Sequence, residues 1–119
     1  MIERRNKWNA RRTTVDNITF ASALEARRYG QLKLLQAAGE ISELLVHEVF
    51  TVLEEARDAD GHMLPKVTWE SDFVYQENGH TIVEDVKGGM DFGEQKLKRR
   101  LLTELRPYLR VRVVRKEDM

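Results

Sequence analysis

The sequence predicts a mixed α/β domain in the order helix, three strands, helix, strand, and three local patterns carry that expectation. Asn78-Gly79 separates two apolar runs, residues 66–76 and 80–88, and this dipeptide is a strong signal for a two-residue hairpin turn. Ser22 with Glu25 three positions on opens a stretch of helical periodicity that Gly39 closes. A second helical pattern, Leu97, Leu101, Leu102 and Leu105, stops at Pro107 and gives way to alternating Val and Arg over residues 109–114.

Taken along the chain, residues 1–18 read as a basic arm in front of a domain spanning 19–119. Arg4, Arg5, Lys7, Arg11 and Arg12 run through the arm with no acid between them. The first helix has Ser22 and Glu25 as a capping box and Leu24, Leu32, Leu35 and Ala38 as its apolar stripe. Residues 43–53 then read as one long strand, with Leu45, Val49 and Leu53 on one face and Val46, Phe50 and Val52 on the other. Residues 54–65 are a polar excursion that turns at Asp60-Gly61. Beyond the hairpin, Gly88-Gly89 ends the strand and Asp91 is placed to cap the second helix. His47, His62 and His80 share no metal-ligand spacing and read as incidental.

A chain of 119 residues can bury a single core and has no room for a second. The absence of cysteine removes disulfides and thiolate metal sites and is compatible with a reducing cytosol. No apolar run reaches membrane-spanning length and no signal-peptide core is present, so the expectation is a soluble protein of the bacterial cytoplasm. Formal net charge is zero, but the charge is segregated. The N-terminal arm and the cluster Lys96, Lys98, Arg99, Arg100 are basic, whereas Glu40, Glu43, Glu48, Glu54, Glu55, Asp58 and Asp60 make the middle acidic. This suits a protein with one face toward phosphates; a solvated arm and a charge-balanced helix surface explain it equally.

Register supplies the chemistry. Pairing outward from the Asn78-Gly79 turn sets Glu77 across from His80, Tyr75 across from Ile82, Val74 across from Val83 and Asp72 across from Asp85. Like charges directly opposite are destabilising, and burying them requires a proton or a cation between them. Lys87 follows Asp85 on the same face. A divalent metal explains the acids. A solvated edge at Asp72 and a cross-strand salt bridge from Glu70 to Lys87 explain the same residues without one.

Asp72, a hairpin, then Asp85-Val86-Lys87 resembles the PD-(D/E)xK nuclease superfamily. The wider set Lys7-Trp8-Asn9-Ala10, Phe20-Ala21-Ser22-Ala23-Leu24-Glu25-Ala26, Gly39-Glu40-Ile41-Ser42 and Val83-Glu84-Asp85-Val86-Lys87-Gly88 is similar to a family of small phage and prophage proteins in that superfamily, a domain of unknown function labelled endonuclease-like. The chain departs from it at His47, where a polar amide such as Gln is expected. The resemblance implies an αβββαβ core, a mixed sheet flanked by helices, and a magnesium- or manganese-dependent DNA endonuclease. Asp72 and Asp85 would hold the ion with the Val86 carbonyl and Glu25, an acid many members contribute from the first helix. Lys87 would position the attacking water, and Lys98 sits where the family carries a lysine that meets phosphate. Products with 5'-phosphate and 3'-hydroxyl ends follow from the superfamily. With no sequence-reading domain alongside, branch or shape recognition of the Holliday junction resolvase kind is expected over restriction of a defined site. Expected partners are DNA, a phage or host protein on the acidic segment, and a second copy of the chain. A nuclease-fold DNA-binding or phage accessory protein without turnover is the alternative.

Overall fold

The computed structural model describes residues 12–119. Arg4, Arg5, Lys7 and Arg11 of the basic arm, with the Lys7-Trp8-Asn9-Ala10 motif, lie outside the described residues. The fold is mixed α/β. A four-stranded mixed sheet has one helix on each face, and three two-stranded ribbons surround it.

The chain enters through a hairpin of β1 (Thr13–Val15) and β2 (Ile18–Phe20), whose turn residues Asp16 and Asn17 have φ of 53° and 63°. Short polar side chains tolerate that left-handed conformation better than most. Phe20 is fully buried, and the Tyr29 hydroxyl donates to Asp16 Oδ2 at 2.7 Å. Residues 13–18, expected to belong to the arm, are therefore folded onto the domain, because Phe20 and Tyr29 need each other's apolar surface.

Helix α1 (Ala23–Ala37) starts where the cap predicts, with Ser22 Oγ accepting the Glu25 N–H at 3.1 Å. It stops at Gly39, whose φ of 78° lets the Gly39 and Glu40 N–H groups donate back to Gln36 and Leu35 carbonyls. Ala26, Tyr29 and Leu32 pack inward.

The long strand expected over 43–53 is broken. It forms β3 (Ser42–Val46) and β4 (Val49–Leu53), separated by His47 at φ 58°. After a small ribbon of β5 (Ala56–Arg57) and β6 (Met63–Leu64), the strand expected over 66–76 breaks as well, into β7 (Val67–Glu70) and β8 (Phe73–Glu77). The two breaks face each other. His47 N–H donates to the Asp72 carbonyl at 3.0 Å and Ser71 N–H to the Glu48 carbonyl at 2.8 Å, so the paired strands turn together without losing backbone hydrogen bonds. Below the bend β3 pairs with β8 in the main sheet, and above it β4 pairs with β7 as a separate ribbon. Period-two alternation runs through such a bend unchanged, which is why each pair reads as continuous in sequence.

From β8 the chain turns at Asn78 and Gly79, φ 51° and 78°, the signs a type I′ turn needs, into β9 (His80–Val86). The register is the one the turn predicts, with Tyr75 opposite Ile82 and Val74 opposite Val83. A crossover through α2 (Gly93–Leu105) returns β10 (Leu109–Val114) parallel to β9. Alternation then sorts the core. Phe73, Tyr75 and Ile82 pack with α1, while Val74 and Val83 pack with Leu102, Leu109 and Trp69 on the α2 side.

Two expectations for α2 are corrected. Its N-cap is Phe92, since Asp91 is engaged by an arginine described below. Leu97 and Leu105 are 59% and 57% exposed, because only Leu102 and Arg99 on this helix are fully turned inward. Among the described residues no helix is long and apolar enough to cross a membrane.

Candidate metal centre at the strand bend

The paired breaks put three polar side chains together. Helix α1 delivers Glu25 from its first turn, the bend after β3 delivers His47, and the bend before β8 delivers Asp72. One ligand atom from each lies within 4.8 Å of the others. The closest contact is His47 Nε2 to Glu25 Oε1 at 2.7 Å. The His47 ring is held by its backbone bond to Asp72 and by the edge of Phe20, with ring centroids 5.7 Å apart.

Of the two roles expected for Glu25, helix cap and site acid, the structure directs its carboxylate toward His47 rather than back to the cap. Ser22 caps the Glu25 backbone N–H, but the Glu25 carboxylate turns toward the strands to meet His47.

Asp72 is the strained member. Its backbone N–H donates to the Glu84 carbonyl at 3.0 Å, and its Oδ2 accepts the Val86 N–H at 2.6 Å. Burial, then the nearby charge of Glu25, push its carboxyl up to about 9; the neighbouring Asp85 adds to the rise and the Val86 N–H opposes it. At neutral pH the protein by itself therefore holds a proton on Asp72.

Asp85 lies beside Asp72 as the register predicts, yet its surroundings differ. Its Oδ2 accepts from Arg99 Nη1 at 2.7 Å and faces Lys87 Nζ at 3.4 Å. Arg99 is also clasped by Asp91, at 3.0 Å from Nη1 to Oδ1. Burial alone would lower the guanidinium pKa, but Asp91 and Asp85 outweigh it and raise it, and Arg99 in turn lowers Asp91. Asp85 is thus already neutralised by protein cations. Of the expected set Glu25, Asp72, Asp85 and Val86, the structure brings Glu25 and Asp72 together with His47, sets Asp85 beside Asp72 in an ion pair with Arg99, and turns the Val86 N–H rather than its carbonyl toward Asp72.

The basic cluster on α2 is also not one surface. Arg99 is buried and faces inward, so it is not placed to touch phosphate. Lys98 is half-buried and 3.3 Å from Glu94, Arg100 is exposed and bonded to Glu104 at 2.7 Å, and Lys96 and Arg12 are exposed. On the other face of β9, wholly buried Glu84 accepts both Nε and Nη2 of Arg28, at 2.8 and 2.6 Å, and the Tyr75 hydroxyl.

His47 and Arg99 are what sequence reasoning missed. His47 shares no ligand spacing with the other histidines because its partners, Glu25 and Asp72, are acids remote in sequence. A signal for Arg99 existed: it lies three residues before Leu102, on the same helix face.

A family described as a protein of unknown function (DUF1064) matches residues 5–117, and the chain belongs to that family. No curated protein and no solved structure matches it.

Proposed function

We propose that this DUF1064 protein is a divalent-metal-dependent DNA endonuclease with a PD-(D/E)xK-type core, encoded by a phage or prophage and acting on DNA structure rather than a defined sequence. The observation that carries the reading is the convergence of Glu25, His47 and Asp72 within 4.8 Å of one another beside Asp85 and Lys87. The donor set fits a cation: two carboxylates and an imidazole meet where burial and like charge make an ionised Asp72 untenable alone. When bound, the ion supplies Lewis-acid stabilisation of charge on a phosphate oxygen and a more acidic water.

The protein's own groups divide the remaining work. Lys87 has its backbone N–H tied to the Val114 carbonyl at 2.9 Å and its Nζ 3.4 Å from Asp85. That leaves an ammonium poised to orient a water and favour its deprotonated form. Asp85 holds that ammonium, and Arg99, braced by Asp91, holds Asp85. Exposed Lys96 and Arg100, with half-buried Lys98, are the phosphate contacts within reach of the same helix.

The test is a panel of single-stranded, duplex, flap and four-way DNA substrates with magnesium, manganese or calcium. Cleavage of a branched substrate is expected with magnesium or manganese and should fall on the order of a thousandfold in Asp85→Asn and Lys87→Ala, the scale of losing several kcal/mol of transition-state stabilisation. Wild-type rates in either variant would refute the reading. A second reading, a DNA-binding protein of this fold without turnover, is favoured by the ion pair that already occupies Asp85 Oδ2. It predicts equal DNA affinity with metal and with EDTA.

A further inference from the structure

We propose that His47 is the third protein ligand of this centre, and that its imidazole makes the centre prefer transition ions of the cobalt(II) and zinc(II) class over magnesium(II). The proposal rests on the metal-site part of the functional reading and extends it to the identity of the ion. Magnesium takes oxygen ligands almost without exception, whereas imidazole suits zinc and the later first-row ions. A set of Glu25, Asp72 and Asp85 would be all oxygen. The set the fold assembles replaces Asp85, whose Oδ2 is held by Arg99, with His47 Nε2.

The placement of His47 supports a ligand role. It has φ of 58°, a left-handed conformation that is strained for a non-glycine residue. Its backbone N–H is spent on Asp72, and the edge contact with Phe20 fixes the ring plane. Its side chain is 29% exposed, so a histidine needing only water had room to turn outward. Instead Nε2 points at the carboxylate of Glu25 from 2.7 Å, with an Asp72 oxygen in the same group. A simple Glu25–His47 ion pair would give the first contact but has no need of Asp72.

The experiment uses the full chain, stripped with EDTA and carrying His62→Gln, which removes the exposed Asp58, Asp60 and His62 group that would compete for ions. Calorimetric titrations with cobalt(II), zinc(II) and magnesium(II) give affinities, visible absorption follows cobalt, and long-range 1H–15N spectra follow the His47 ring on zinc addition. We expect one cobalt per chain, tighter than magnesium, with the His47 ring nitrogen shifted by zinc. His47→Gln should weaken cobalt by at least about tenfold, since loss of even an outer partner of a metal ligand costs roughly that much. Magnesium should change by less than about twofold, because a glutamine oxygen still suits it. An unshifted His47 ring, or equal loss of both ions in His47→Gln, overturns the proposal; the ring shift is read with His47 intact and so stands if His47→Gln fails to fold. No step uses DNA. Zinc-bound His47 without cleavage would therefore sink the nuclease reading alone, and magnesium-driven cleavage with a silent His47 would sink this proposal alone.

Discussion

Replacing Asp72 with Asn should make the metal-free protein more stable while removing a carboxylate from the candidate metal centre. The carboxyl is pushed up from 3.8 to about 9, so at pH 7 the folded protein carries a proton there that the unfolded chain does not. Holding that proton costs the fold about 4 kcal/mol at roughly 1.36 kcal/mol per pH unit, a figure set by the ordinary value and the pH rather than by how far above 7 the folded value lies. Solvent screening at a partly open site brings the expected gain to about 2–4 kcal/mol. Asn keeps an oxygen for the Val86 N–H and offers its amide hydrogens to Glu25 and Asp85. The sign follows from linkage: between about pH 4 and 9 the folded state binds more protons than the unfolded one, so wild-type stability at this group falls as pH rises. The advantage of Asp72→Asn should thus shrink to under about 2 kcal/mol at pH 5 and vanish near pH 4. Urea unfolding in EDTA at pH 7, 5 and 4 measures it. With metal at about a thousand times its Kd the ranking should reverse, because such an ion stabilises wild type by about 4.1 kcal/mol. If Asp72→Asn is less stable than wild type in EDTA at pH 7, no unmet charge sits at the bend and the argument fails.

Glu25→Gln should melt within about 0.5 kcal/mol of wild type, since Ser22 alone provides the cap, yet need more metal for cleavage; an unchanged metal requirement would remove Glu25 from the site. Changing Lys96, Lys98 and Arg100 together to Ala should flatten the salt dependence of DNA binding by up to about three counterions, and an identical slope would return them to ordinary surface. Arg99 is left out of that set because Ala there would strand Asp85 and Asp91. Arg28→Ala should cost about 3–5 kcal/mol in urea, since it strips the main partner from wholly buried Glu84. A loss below about 1 kcal/mol would refute the reading that Arg28 is what makes burial of Glu84 tolerable.

Local chemistry was enough to read several features from the sequence. The Asn78-Gly79 turn carries its own register, Ser22 and Gly39 bound α1, and Pro107 limits α2 to Leu105, all through contacts a few residues apart. The juxtaposition of Asp72 and Asp85 belongs with these, because a two-residue turn counts outward without help from the rest of the fold. Other features depended on contacts between distant segments. The bend at His47 needs Ser71 and Asp72 to supply its hydrogen bonds from more than twenty residues away, and apolar alternation carries no mark of it. Likewise Arg99 reads as one more cation in a basic run until α2 lays it over β9, where Asp85 and Asp91 meet its charge. Which acid is buried among like charges and which is already paired with a cation is a matter of long-range electrostatics, so only the tertiary structure could divide Asp72 from Asp85.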